Sequence, residues 1–317
     1  MRLREGTAVL WRGPGVLQVG ADPDDHLVLE SLSSTEVAWL FAAATDAVTS
    51  APTTRHRPTP LPPLPRLSLL PERLRSRGFL REEPSGTPLV NGLRLMGVDT
   101  VTLSAARLLV QMGVRRFDLV DPRAVDLALC AALPDDTLGT PRQSAGAAVL
   151  RGTSSGVFVG ALSHPDLVVV STQRSSDAST SGLLMAEDRP HLLVTQRERS
   201  VVVGPLVVPG RTACAHCAEL HLTDRDPRWP FLIEEASASP LPPPPALAAH
   251  VAALEVARVV AAVGQDSAPE RLARQVSGTR VVRVGSDGAR SVEQVLPHPR
   301  CGCGASGTVF EPVHHGA

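Results

Sequence analysis

Residues 97–121, GVDTVTLSAARLLVQMGVRRFDLVD, decide the fold. Leu103, Ala106, Leu109 and Val110 recur at helical spacing, Gly113 stops the helix, and the β-rich run RRFDLVD ends in an acid. This is the outline of a nucleotide-binding strand-turn-helix-strand unit, in which glycines let backbone N–H groups approach phosphates closely. Here Gly97 is followed by Asp99, Thr100 and Thr102 where further glycines belong. The outline predicts an α/β fold, and the missing glycines argue against the usual chemistry.

Working outward, residues 86–208 alternate apolar β-rich runs with helical patterns. LRLMGV (93–98), DLVVVST (166–172) and HLLVTQ (191–196) read as strands; SAGAAVLRG (144–152) and SGLLMAEDRP (181–190) read as helices. Such alternation predicts a parallel sheet covered by helices. Residues 209–317 add a Pro-rich loop at 240–245, a strong helix ALAAHVAALEVARVVAAVG (246–264) and a hairpin across Ser286-Asp287-Gly288. Residues 1–85 read as a separate small unit. It has a hairpin across Gly13-Pro14-Gly15, a strand HLVLESL (26–32), and a helix capped by Ser33 or Ser34 with Val37, Leu40, Phe41 and Ala44 on one face. A Pro-rich loop (51–68), a helix with Pro71 in its first turn, and a strand after Gly78 complete a winged-helix-like pattern.

Composition bounds the function. The chain has 317 residues, 43% of them hydrophobic, and all 31 basic residues are arginine. No step can depend on lysine or tyrosine, because neither occurs. A formal net charge of −1 offers no footprint for nucleic acid. The apolar runs read as interrupted before the ~18 residues of a membrane span, and no apolar signal core follows Met1-Arg2-Leu3-Arg4. The expected compartment is the cytoplasm, without membrane attachment.

Cysteine usage points to metal. Cys214 and Cys217 present two sulfurs from one turn, and Cys301 and Cys303 two more after the hairpin. Four thiolates suit a tetrahedral structural Zn ion with no open position for a catalytic water; redox pairs or free thiols are the alternatives. Gly302 and Gly304 allow a tight turn there, while His216 and His298 are expected beside the metal or in solvent. Cys130, in LALCAAL, reads as a buried small hydrophobe. Asp224 and Asp226 are expected to pair with Arg225 and Arg228 and cap a turn, with Trp229 as a packing anchor. His314-His315 has no partner motif.

On these residues the chain resembles the ThiF/MoeB/HesA superfamily of ubiquitin-activating-type adenylyltransferases, whose fold is Rossmann-like. The resemblance assigns Gly97 to the first glycine of the phosphate loop, Gly113-Val114 to the helix end, and Asp121 to the ribose-binding acid. Arg142 stands in place of the family's lysine, Leu129 and Ala132 in place of its asparagine and arginine, and Gln173 in place of its metal-binding aspartate. Gly97, Asp121 and Arg142 are therefore the remnant of a nucleotide site. A carboxylate at 99 about 5 Å from a phosphate charge would add roughly 3 kcal/mol of repulsion at an effective dielectric near 20, so ATP is not an expected cofactor.

The run 203–230 and HPRCGC (298–303) also resemble actinobacterial ThiF-like proteins described as leader-peptide-binding components of azoline (TOMM) biosynthesis. The resemblance implies an N-terminal peptide recognition element in 1–85 ahead of a degenerate adenylyltransferase-type domain in 86–317. It further implies a precursor leader peptide and a YcaO-type cyclodehydratase as partners, with dimerisation common among relatives. The expected peptide surface is the strand at 26–32 beside the helix at 69–77. The alternatives are an ATP-dependent adenylyltransferase activating a C-terminal carboxylate, and a regulatory or assembly pseudoenzyme.

Overall fold

A computed structural model describes residues 2–4, 6–45, 69–81, 90–130, 133, 135–239, 241–265 and 280–305. The Pro-rich segment 51–68, Ala132, Pro240 and His314-His315 lie outside the described residues, as does the side chain of Cys130. The chain divides into two units, Met1–Gly86 and Thr87–Ala317.

The first unit comprises β1 (Arg2–Leu3), β2 (Val9–Gly13), β3 (Val16–Val19), β4 (Leu27–Leu29), α1 (Ser34–Thr45), α2 (Leu70–Ser76) and β5 (Leu80–Arg81). Gly13 pairs with Val16, so Pro14-Gly15 forms the hairpin tip, with Gly15 in the left-handed region (φ +69°). β2, β3 and β4 make one antiparallel sheet, and β1 pairs with β5. Ser33 caps α1: its hydroxyl accepts from the Glu36 N–H, and the Glu36 carboxylate accepts from the Ser33 N–H. Leu17, Val19 and Leu29 of the sheet pack with Trp39, Leu40 and Ala43 of α1 and with Leu70 and Leu74 of α2. The buried arc of α1 differs from the expected one, because Trp39 and Ala43 turn inward and Phe41 is exposed. Trp39 supplies the larger apolar surface and sets the rotation of the helix.

The second unit runs β6 (Leu93–Met96), α3 (Thr100–Gln111), β7 (Arg116–Val120), α4 (Leu127–Cys130), α5 (Arg142–Thr153), β8 (Phe158–Val159), β9 (Leu167–Gln173) and α6 (Ala178–Ala186). It continues with β10 (His191–Arg197), β11 (Ser200–Val207), α7 (Ala215–Arg225), α8 (Trp229–Ser237), α9 (Ala246–Gln265), β12 (Arg280–Gly285) and β13 (Arg290–Gln294). One eight-stranded sheet has the order β13-β12-β11-β10-β9-β6-β7-β8. Strands β8, β7, β6, β9 and β10 are parallel, while β11, β12 and β13 extend the sheet antiparallel. The four strands read from sequence in 86–208, now β6, β7, β9 and β10, run parallel as expected; β11, which that reading lacked, carries the sheet on antiparallel to the β12–β13 hairpin. The run SVVVGPLV follows β10 after a two-residue turn, too short for a crossover, so it must fold back antiparallel.

Alternation along the strands builds two cores. Leu93, Leu95, Phe117, Leu167, Val169, Leu192 and Val194 face α3, α5 and α9. Val168, Val170, Leu193 and Val207 face the other way, toward Leu184 of α6 and the cysteines. α9 corrects a second expectation: Ala246–Gly264 is long and apolar enough to cross a membrane by length and composition. Half of that helix is buried, with Ala249, Ala252, Val256 and Val260 in the core beside α3, so its apolarity is accounted for by packing.

Candidate functional site

β6 leads through α3 to β7 on one side, and the chain later returns through β9 on the other side of β6. The carboxyl ends of β6 and β9 therefore flank a topological switch point, where open α/β sheets place their ligands. Gly97 sits at this point with φ +93°, and a Cβ there would lie 2.4 Å from the Ser171 carbonyl oxygen of β9. Only glycine lets the two strand ends approach this closely.

Asp99 fills the N-terminus of α3. Its Oδ1 accepts from the N–H groups of Val101 (2.8 Å) and Thr102 (3.0 Å), and Thr102 Oγ1 accepts in return from the Asp99 N–H. Ser171 Oγ lies 2.5 Å from Asp99 Oδ2 and donates to it, closing the crevice from the β9 side. The donors that would face a phosphate in a glycine-rich loop are here held by a side chain of the protein itself. Burial pushes the Asp99 carboxyl above the usual carboxylate range, partly offset by hydrogen bonds from Ser171, Thr102 and Val101.

Asp121, at the end of β7, is only 2% exposed. Its Oδ2 accepts from the Val98 N–H, and Arg123 grips both oxygens, Nε to Oδ1 at 2.8 Å and Nη2 to Oδ2 at 2.7 Å. Burial alone would raise its pKa; the Arg123 fork and the Val98 N–H outweigh burial and hold it below the usual range. Arg142, at the start of α5, bonds the Ala124 carbonyl and the Asp126 carboxylate, and its side chain is largely buried. Gly97 and Asp121 adjoin the crevice, and Arg142 braces the loop after β7. Leu129, in place of the asparagine, is buried in the core, and Gln173 ends β9.

Cys214, Cys217, Cys301 and Cys303 come together. Cys214 is the N-cap of α7 and Cys217 lies one turn on, while Cys301 and Cys303 approach after the β12–β13 hairpin. Sulfur separations are 3.8 Å for Cys214–Cys217 and 3.6 Å for both Cys214–Cys301 and Cys217–Cys303, with all four sulfurs within 4.8 Å of one another. Tetrahedral coordination with metal–sulfur bonds of about 2.3 Å requires sulfurs about 3.8 Å apart. The cluster can hold a metal ion.

Its electrostatics ask for one. A hydrogen bond to Cys217, with burial, raises Cys214 far above its ordinary value, and burial pushes Cys301 up to about 11. The Cys214 thiol's hydrogen bond brings Cys217 down to about 4. Four buried thiolates side by side would need a cation at their centre.

Neither flanking histidine adds a ring nitrogen to the four sulfurs, although the His298 backbone bonds Cys217. His216 is exposed, and His298 is buried with Nε2 at 2.8 Å from Asp224 Oδ2 while Nδ1 accepts from the Arg300 N–H. Arg300 also reaches Asp224. The expected local pairing is corrected accordingly: Asp224 ties α7 to the segment carrying Cys301, and only Asp226 caps a turn, accepting from the Arg228 N–H. Trp229 is half-buried and bonds Glu219 through Nε1.

No family model matches the chain, and no curated protein matches it in sequence. Among solved structures, E. coli MccB aligns over 99% of this chain and 99% of its own length, with a TM-score of 0.61 at 15% identity. The chain has the MccB fold. E. coli MccB with AMPCPP and MccA matches with a TM-score of 0.62 at 14% identity, covering 96% of this chain and 99% of that one. The microcin C7 biosynthetic enzyme MccB in complex with N-formylated MccA gives 0.61 at 14% identity, over 96% and 99%. The MccB fold agrees with the adenylyltransferase-type architecture that the motifs at 97–121 imply.

Sequence reasoning missed Ser171, Arg123 and the Asp224–His298–Arg300 cluster. Asp99-x-x-Thr102 carries a readable cap signature, and Asp121-Pro122-Arg123 puts a cation across a proline turn from the acid. Ser171 has no such signal, since its meeting with Asp99 spans 72 residues.

Proposed function

We propose that this chain is a non-catalytic scaffold of the MccB fold. In this reading the unit Met1–Gly86 binds a leader peptide, or another peptide, and the chain presents it to a separate modifying enzyme such as a YcaO-type cyclodehydratase of azoline biosynthesis. The observation that carries the reading is Asp99: its carboxylate takes the helix N–H groups that nucleotide chemistry would need, and Ser171 holds it there. Asp121, the remnant ribose acid, is likewise saturated by Arg123 and Val98. Arg142, the remaining cation of the remnant site, is spent on Ala124 and Asp126.

The peptide-binding half of the reading is supported by solved MccB complexes that contain MccA. We read the first unit as winged-helix-like, with β4 at a sheet edge and Arg73 of α2 bonded to the Val28 carbonyl, so that helix and edge strand stand side by side. An extended peptide adding to β4 would lie in that groove. The four cysteines hold a structural zinc ion that fastens the C-terminal segment to α7. The scaffold works in the cytoplasm, where thiols stay reduced, away from membranes and nucleic acid, and a homodimer is the assembly to test.

Isothermal calorimetry on the full chain, with each short peptide encoded beside its gene, tests the proposal. We expect one peptide to bind, Val28→Pro to abolish that binding, and millimolar ATP with magnesium to give no heat. Pyrophosphate exchange dependent on Asp121 and Arg142 would instead establish an adenylyltransferase that activates a C-terminal carboxylate. Absence of binding by every such peptide would overturn the scaffold reading.

A further inference from the structure

At the sheet edge opposite β8, α9 and the β12–β13 hairpin enclose an open groove of about 550 Å³. Val282 pairs with Val292 and Val284 with Arg290, so alternation brings Arg280, Val282, Arg290 and Val292 to one face. Arg258 joins them from α9. Beneath lies Glu255, its side chain 2% exposed, whose Oε1 accepts from Arg290 (2.7 Å) and Arg258 (2.9 Å); Arg280 stands 3.8 Å from Oε2.

Two features point to a ligand. Three guanidinium groups converge on one carboxylate, which leaves two positive charges in excess within the cluster. Glu255 Oε2 accepts no hydrogen bond among the described residues, and Arg280, 3.8 Å away, pairs with it by charge alone, so the Arg280 N–H groups are not taken up by that carboxylate. Beside the groove, β13 is an edge strand with all five residues exposed, and natural sheets seldom leave such an edge open.

We propose that this groove docks an extended acidic polypeptide segment that adds to the edge of β13. Alternate side chains of the added strand would point into the groove, where carboxylates meet the guanidinium forks of Arg258, Arg280 and Arg290 and small apolar groups meet the exposed Val292. Among the described residues no aromatic side chain lines the groove to stack a base, which favours carboxylates over a single-stranded nucleic acid. The site is built from residues of the second unit alone, so this assignment and that of the first unit's peptide surface can each fail without the other.

Fluorescence anisotropy with a labelled (Glu-Val)4 peptide and the full chain tests the docking. We expect binding that weakens with salt, falls about tenfold or more in Arg258→Gln/Arg290→Gln, and tightens in Glu255→Gln, which removes the competing carboxylate. Circular dichroism checks the fold, and the more exposed Arg258→Gln alone serves if the double variant unfolds. Peptide binding unchanged by these substitutions, equal binding of (Lys-Val)4, or tighter binding of an oligothymidylate would overturn the proposal. So would failure to bind, or sedimentation showing a dimer lost in Val292→Pro, which would give the edge to a second copy of the chain.

Discussion

Ser171 donates to Asp99 across 2.5 Å, joining the end of β9 to the first turn of α3 at the point where the sheet reverses its winding. The contact makes this end of the crevice part of the protein's own hydrogen-bond network. Gly97 is retained beneath it for backbone approach to Ser171, a requirement that exists with or without a phosphate.

The Asp99 carboxyl makes stability depend on pH. Burial raises its folded pKa above the unfolded value of 3.8, so the folded state holds the proton more tightly. The contribution is full below 3.8 and is lost as pH rises through the folded value. Asp99→Asn cannot ionise and should gain stability relative to wild type between pH 4 and pH 7. Paired thermal melts across that range check this, and a constant difference would refute it.

Gly97→Ala should cost about 1–3 kcal/mol for the left-handed backbone alone, with a further cost from the clash against the Ser171 carbonyl. Urea denaturation measures it. A loss under about 0.5 kcal/mol, as at ordinary surface sites, would show that β6 and β9 can separate freely.

His191 and Ser181 form a buried pair: the Ser181 hydroxyl lies 2.7 Å from Nε2, and Nδ1 bonds the Arg189 carbonyl. Both are shut from solvent, which gives the pair a structural role. Burial lowers the His191 pKa below 6.5, so its neutral form is preferred in the folded state. That stability is present above 6.5 and is lost as pH falls toward the folded value. His191→Gln should flatten this acid slope, and Ser181→Ala should cost about 1–3 kcal/mol by leaving Nε2 unpaired.

Elemental analysis should find one zinc ion per chain, absent in Cys301→Ser. Chelation should expose the segment carrying Cys301 and Cys303 to protease, because the metal would link it to α7. Full resistance to cleavage after verified metal removal would show that Asp224, His298 and Arg300 suffice to hold it.

Much of the fold was legible locally. The helix at 100–111, the strands flanking it, the Pro14-Gly15 hairpin and the cysteine pairs all carry their signals within a few residues. The antiparallel extension through β11 was not, because a fully buried apolar strand reads the same in either direction. Phe41 and Trp39 show the same limit, since periodicity defines an apolar arc and packing chooses its rotation.

For the crevice, the residue types at 97, 99, 100 and 102 were enough by themselves to predict an α/β turn without its phosphate-binding glycines. For the metal site, two cysteine pairs were enough to predict four sulfurs. Only the tertiary structure decided that Asp99 occupies the helix N-terminus with Ser171 behind it, that Arg123 holds Asp121, and that Glu255 gathers three arginines from α9, β12 and β13. Ser171, and the arginines of β12 and β13, are brought to their partners by strand order and sheet register across long sequence separations. Local sequence patterns do not encode those meetings.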